Sequence, residues 1–189
     1  MRLVVGLGNP GEQYLLTRHN AGFLFLDYLI DHYGLPDYKA KFLGGFTEGM
    51  IPLPSDTNPS QTTKLMFLKP MSFMNLSGNA VRAVAQFYKV APKDILVIHD
   101  EVDLPLGTIR SKQGGGNAGH NGLKSIEQSL NSPNFWRLRI GVGRSAHEQI
   151  STADHVLGNF TKAEFKTLTD LFPTIREAFV KLLSLPHPE

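Results

Sequence analysis

Residues 95–98 read ILVI, four consecutive apolar residues, and the chain turns polar at once into His99, Asp100, Glu101 and Asp103. A run this short and this uniformly apolar suits a strand buried on both faces, which requires helices over both sides of a sheet. Leu3, Val4 and Val5 make a second such run at the N-terminus. Helical period appears from Ala21, with Phe23, Leu26 and Ile30 on one face and Gly34 as the stop. It appears again in MSFMNLSGNAVRAVAQFYKV, where Leu76, Ala80, Val84 and Phe87 share a face and Pro92 follows. AKFLGGFTEGM and KLMFLKP read as neighbouring strands joined by the loop PLPSDTNPSQTT. SKQGGGNAGHNG reads as a flexible loop, 123–130 as a helix, FWRLRIGVGR as a strand, and the remainder from Thr161 as an amphipathic helix interrupted at Pro173. The expected architecture is α/β, a single compact domain over residues 1–189 with a mixed central sheet flanked by helices; short connections make the sheet mixed.

The first strand empties into GLGNPG, whose Gly6, Gly8 and Gly11 satisfy the spacing GxGxxG. In a dinucleotide site such glycines lead directly into a helix whose N-terminus meets the pyrophosphate. Here Asn9-Pro10-Gly11 is turn chemistry, residues 12–20 have no helical period, and about ten residues separate the glycines from the helix that begins near Ala21. Asp31 stands where a ribose-binding acid would, yet fits the polar face of the helix better. No nicotinamide or flavin cofactor is expected, and the gap instead holds Asn9, Tyr14, Thr17, Arg18, His19 and Asn20.

A hydrophobic fraction of 41% over 189 residues is that of an ordinary globule with a full core. The absence of cysteine removes disulfides, thiolate metal sites and cysteine nucleophiles, and points to the cell interior. No apolar stretch approaches membrane-spanning length and no signal core precedes the first strand, so a cytoplasmic chain without a membrane partner is expected. The net charge of +2 conceals an asymmetry: residues 104–145 carry six Lys/Arg against one Asp/Glu. Such an excess is either a solvated face or a surface for phosphates, and Arg110, Lys112, Arg137, Arg139 and Arg144 flank glycine-rich loops, which favours an anion site.

Three polar clusters carry candidate chemistry: Asn9 with His19 after the first strand, Asn75 at the start of a helix, and Asp100 at the end of the buried strand. A histidine beside a carboxylate is a general base, because the carboxylate fixes the ring tautomer and stabilises the imidazolium. His19 and Asp100 are such a pair if they meet. There is no GxSxG elbow, and Ser72 and Ser77 suit capping or packing, which leaves water as the nucleophile. Asn9, Asn75 and Asn121 can donate to a developing oxyanion. Each also has a structural reading: Asn9 before Pro-Gly as turn chemistry, Asn75 and Asn121 as helix caps, Asp100 as a satisfied carboxylate. A metal site from His99, Asp100 and His120 lacks any HExxH or other ligand spacing.

GLGNPG, TRHNAGF, FMNLSG, HDEVDLP, GGGNAGHNGLKSI and FWRLRIGVGR, in this order from residue 2 to about residue 160, resemble the bacterial peptidyl-tRNA hydrolases. The resemblance implies a compact α/β domain that acts as a monomer in tRNA recycling, with peptidyl-tRNA as substrate and neither cofactor nor metal. It implies His19 as the base, held by Asp100, activating water against the ester that joins a peptide to the 3′ end of a tRNA. Asn9 and Asn75 would position water or ester and stabilise the oxyanion. Tyr14, Phe73, Asn75 and Asn121 would bind the substrate, Asn121 through the peptide backbone. Lys112 and Arg139 match the family's basic pair at the tRNA 5′ phosphate, with Arg137 and Arg110 as helpers. Two rivals remain at this stage, a non-catalytic RNA binder of the same fold and a generic esterase. Asn117 departs from the Ser or small residue expected in many members, the loop after Pro52 carries extra Pro/Ser/Thr, and the chain ends at LLSLPHPE without the basic tail helix of some members. The expected consequence is weaker tRNA affinity rather than altered chemistry.

Overall fold

Both apolar runs become central strands. In the computed structural model, which describes residues 2–55 and 57–185, β1 (Leu3–Gly6) and β5 (Ile95–Glu101) pair in parallel, with Leu3 opposite Ile95 and Gly6 opposite Ile98. β4 (Thr62–Pro70) lies parallel on the other side of β1, and β7 (Trp136–Gly141) lies parallel beyond β5. Antiparallel strands finish both edges: β3 (Gly44–Pro52) on β4 and β2 (Lys39–Lys41) on β3, and β6 (Ile109–Gln113) on β7. Among the described residues this is one seven-stranded sheet of order β2-β3-β4-β1-β5-β7-β6, mixed as expected.

Alternate residues of the central strands face opposite layers, which is why their sequences are uniformly apolar. Val4, Leu96 and Ile98 pack with α1 (Ala21–His32) and α5 (Lys162–Leu183). Leu3, Val5, Ile95 and Val97 pack with α2 (Ser77–Tyr88) and α3 (Asn121–Leu130). The chain places β4 on one side of β1 and β5 on the other, so the strand order reverses around β1. A crevice opens beyond the carboxyl ends of strands at such a point. The glycines serve this packing: a Cβ on Gly22 would lie 2.3 Å from the Ile98 carbonyl oxygen and 2.6 Å from the Leu7 nitrogen, and one on Gly6 would lie 2.7 Å from the Gly22 carbonyl. Without side chains at these two positions, α1 closes directly onto the strand ends.

Several elements differ from the sequence reading. β5 runs on through Glu101, so His99, Asp100 and Glu101 belong to the strand itself rather than following an apolar strand of residues 95–98. AKFLGGFTEGM is two strands: Phe42 and Leu43, at φ 56° and 60°, form a two-residue reversal that sets Lys41 opposite Gly44. No Asn-Gly or Asp-Gly signal announces this turn. α2 buries Ala80, Val81, Val84 and Ala85, so its buried stripe is centred away from Leu76, which belongs to the preceding turn Met74–Leu76, and from Phe87, and these two stay 47% and 65% exposed. Ser111, Lys112 and Gln113 belong to β6, and α3 starts at Asn121. α5 continues through Pro173 for 22 residues, begun by a capping box of Thr161 and Glu164. Single 3₁₀ turns, Glu12–Tyr14 and Arg18–Asn20, and a short helix α4 (Thr152–Leu157) leave no period to read. Asp56 of PLPSDTNPSQTT and residues 186–189 of LLSLPHPE lie outside the described residues. Among the described residues no helix is long and apolar enough to cross a membrane.

Candidate active site

A cavity of about 560 Å³ opens beyond the ends of β1 and β5, lined by Asn9, Tyr14, His19, Phe73, Asn75, Asp100 and Asn121 among others. These seven come from four separate stretches of chain, 9–19, 73–75, 100 and 121, which meet at the cavity. α4 supplies the facing wall with Thr152, Ala153, Val156 and Leu157.

His19 sits in the 3₁₀ turn before α1, buried, with Nδ1 at 3.0 and 2.9 Å from the two oxygens of buried Asp100. Asp100 Oδ1 also lies 2.9 Å from His120 Nε2. The tautomer of His120 follows from α3: His120 is its N-cap, and its Nδ1 accepts the N–H groups of Gly122 and Leu123 at 3.1 and 3.3 Å. The proton therefore sits on Nε2 and is donated to Asp100. Burial alone would raise the Asp100 pKa, but the His19 and His120 N–H donors and charge hold it well below the usual carboxylate range. Burial lowers the basicity of His19, and the Asp100 charge and hydrogen bond outweigh it, so the net pKa is raised above 6.5. The carboxylate accepts the hydrogen bond from the His19 Nδ1–H, which keeps that proton on Nδ1 and leaves Nε2 as the nitrogen free to accept one.

Asn9 is locked from three directions. Its N–H donates to Asn20 Oδ1 at 2.8 Å, its carbonyl accepts from Asn20 Nδ2 at 3.0 Å, and its Oδ1 accepts the Met74 N–H at 2.8 Å. The group it has left for the cavity is the Nδ2 amide, a donor. Asn20 itself is 1% exposed, and the sequence marked it only as one polar residue of the gap. Asn75 lies exposed within the turn before α2, and Asn121 is the first residue of α3 behind the His120 cap. Neither is the helix cap the sequence suggested. Tyr14 and Phe73 meet edge to face, with centroids 6.4 Å apart.

The imagined cluster of His99, Asp100 and His120 does not converge. His99 Nδ1 bonds the Asp100 carbonyl at 2.6 Å, and burial together with His120 pushes its pKa down to about 3. His19, Asp100 and His120 do have ligand atoms within 4.8 Å of one another. The α3 cap, however, keeps the Nε2 lone pair of His120 protonated, so accepting an ion there would set an Nδ1 proton against two backbone N–H donors.

The basic residues divide into two kinds. Ladder register sets Lys112 opposite Arg137 and Arg110 opposite Arg139, so all four project from one face of the sheet. Arg137 is 0% exposed, paired with Glu127 at 2.9 Å and bonded to the Gly115 and Gly116 carbonyls. It cannot meet a phosphate, which corrects the sequence reading of it as a helper. Arg139 is partly exposed and paired with Glu101 at 3.2 Å. Lys112 and Arg110 have no ion pair among the described residues; partial burial and the neighbouring Arg137 and Arg139 lower the Lys112 pKa. Arg144 pairs with Asp103 on a separate exposed surface.

The family model described as Peptidyl-tRNA hydrolase matches residues 3–186. The peptidyl-tRNA hydrolase of Desulfitobacterium hafniense is 47% identical over 171 residues, covering 90% of this chain and 86% of that one. That of Gluconobacter oxydans is 42% identical over 187 residues, covering 99% and 94%. The crystal structure of the Acinetobacter baumannii peptidyl-tRNA hydrolase superposes with a TM-score of 0.83 at 40% identity, covering 97% of this chain and 88% of that one.

Proposed function

The chain belongs to the peptidyl-tRNA hydrolase family, and we infer from this and from its buried His19–Asp100 pair that it hydrolyses the ester joining a peptide to the 3′ end of tRNA. The products are free tRNA and free peptide. The observation that carries the mechanism is the hydrogen bond between His19 Nδ1 and an ionised Asp100 at the cavity wall. His19 Nε2 takes a proton from water as the water oxygen bonds to the ester carbonyl carbon. The carbonyl oxygen gains the charge, and the amide of Asn9, with that of Asn75, donates to it. Cleavage of the carbon–oxygen bond to the ribose follows, and the imidazolium returns its proton to the departing oxygen.

Tyr14, Phe73, Asn75 and Asn121 bind the substrate's peptide end, the two rings as an apolar wall and the two amides as hydrogen-bonding groups. Lys112 and Arg139 bind the tRNA 5′ phosphate, with Arg110 beside them. Support comes from Lys112 and Arg110, which have no ion pair among the described residues and stand on the same face of the β6–β7 ladder as the partly exposed Arg139. Recognition of a peptide amide in the cavity discriminates against aminoacyl esters, whose ammonium would be buried without a partner. Residues 1–189 act as one domain, supported by two apolar clusters on the two faces of a single sheet. A monomer working in the cytoplasm fits a cysteine-free chain whose substrate arises in translation.

The test is release of N-acetyl-amino acid from labelled N-acetyl-aminoacyl-tRNA, with EDTA present, by the native chain and by His19→Ala. Hydrolysis by the native chain, lost in a variant that still binds tRNA, is expected. TRNA binding without hydrolysis by the native chain would replace this reading with a non-catalytic RNA binder. Equal rates on aminoacyl-tRNA and its N-acetylated form would remove the selectivity argument.

A further inference from the structure

Residues 114–120 form part of the catalytic cavity wall through Ala118, Gly119 and His120. This backbone is expensive to order: Gly114, Gly115, Ala118 and Gly119 have φ of 64°, 88°, 49° and 80°, and glycine loses more conformational freedom on ordering than any other residue. What holds it is a set of side chains that the hydrolysis does not use. Buried Arg137 donates to Gly116 O at 2.6 Å, and its other amino nitrogen donates to Gly115 O and to Glu127 Oε1, both at 2.9 Å. The second Glu127 oxygen accepts from Asn117 Nδ2 at 2.9 Å. Asn117 in turn accepts the Gly119 N–H on Oδ1 at 3.1 Å, and its carbonyl accepts the His120 N–H at 2.9 Å. Glu127, on α3, thereby ties both halves of the segment to the helix that His120 caps.

We propose that Asn117 is a positioning residue that latches segment 114–120 over the substrate cavity through Glu127 and Arg137, so that substrate affinity rather than the chemical step depends on it. The proposal rests on the hydrolase reading of the cavity. A serine at this position keeps the local turn, because its hydroxyl still accepts the Gly119 N–H, but its side chain is one bond too short to hold Glu127. An aspartate keeps the shape and the turn and sets a carboxylate against the Glu127 oxygen. An unlatched segment is closed for only a fraction of the time, and apparent affinity falls by that fraction while the bound state reacts as before.

Asn117→Ser is expected to raise KM for N-acetyl-aminoacyl-tRNA roughly fivefold, the scale of one partly exposed bond to a carboxylate, with kcat within about twofold of native. Asn117→Asp, isosteric with the native side chain, raises KM further. In both, amide hydrogen exchange at residues 115–119 accelerates by at least the factor seen in KM, while exchange in α2 is unchanged. The latch is overturned if KM stays native in both variants, if kcat falls as much as KM rises, or if exchange accelerates equally in α2. Should the native chain not hydrolyse the substrate, the hydrolase reading fails on that result alone, and exchange in the two variants still decides whether Asn117 holds the segment.

Discussion

Replacing Asp100 by Asn separates the charge of this residue from its shape. The carboxylate accepts two N–H donors, His120 Nε2 on Oδ1 at 2.9 Å and His19 Nδ1 on both oxygens at 2.9 and 3.0 Å. His120 cannot change tautomer without turning an N–H toward the Gly122 and Leu123 donors, so the one remaining oxygen stays with His120. The new amide nitrogen then faces His19 Nδ1 and donates to it, which drives the His19 proton to Nε2 and removes the lone pair that accepts from water. A wrong tautomer in a histidine–carboxylate pair lowers kcat by roughly ten-thousand-fold, and a loss of that order is expected in single-turnover hydrolysis of N-acetyl-aminoacyl-tRNA. The pH profile gives an independent sign. His19 acts unprotonated and its pKa is raised, so the native acid limb has its midpoint above 6.5. With the Asp100 charge gone, burial dominates, and the limb of the residual activity moves below 6.5. A folded variant within tenfold of native, or one whose acid limb does not move down, would refute the tautomer argument.

Asn20→Ala removes both bonds to the Asn9 backbone and leaves two buried groups unpaired; about 2 kcal/mol of stability in urea unfolding and a kcat at least about tenfold lower are expected. Lys112→Ala and Arg139→Ala each raise KM for substrates bearing a 5′ phosphate and reduce the slope of log affinity against log salt by about 1, with kcat unchanged; variants that lose kcat instead would place these cations elsewhere. His99 is buried and neutral, with its pKa down near 3, so the unfolded chain binds a proton that the folded chain refuses below pH 6.5. Stability therefore falls on acidification, by about 2 kcal/mol between pH 6.5 and 5. In that window the raised pKa of His19 contributes a constant, fully present below 6.5 and lost only as pH rises, and the stability from the lowered pKa of Asp100 is lost only below about 4. Flat chemical-denaturation stability from pH 6.5 to 5 would overturn the assignment of His99.

Local chemistry determined much of this protein. The runs at Leu3 and Ile95 are apolar on both faces, which demanded a sheet covered on both sides, and the polar residues at their ends marked where the crevice opens. GxGxxG has no helix directly behind it, as α1 beginning at Ala21 shows, and the ordered motifs singled out His19, Asp100, Asn9 and Asn75. Tertiary structure alone decided the partners of those groups. Asp100 meets His19 from 81 residues away, and His120 from 20; neither approach has a local signature, because sheet register and helix packing create both. The reversal at Phe42 and Leu43 occurs without turn residues, since β2 and β3 pairing holds it. Arg137 is indistinguishable from Arg139 in sequence: alternation puts both on one face, and only the covering helix α3, with Glu127, makes one an interior strut while the other stays within reach of solvent. Periodicity assigns a residue to a face, but what covers that face is settled by elements distant in the chain.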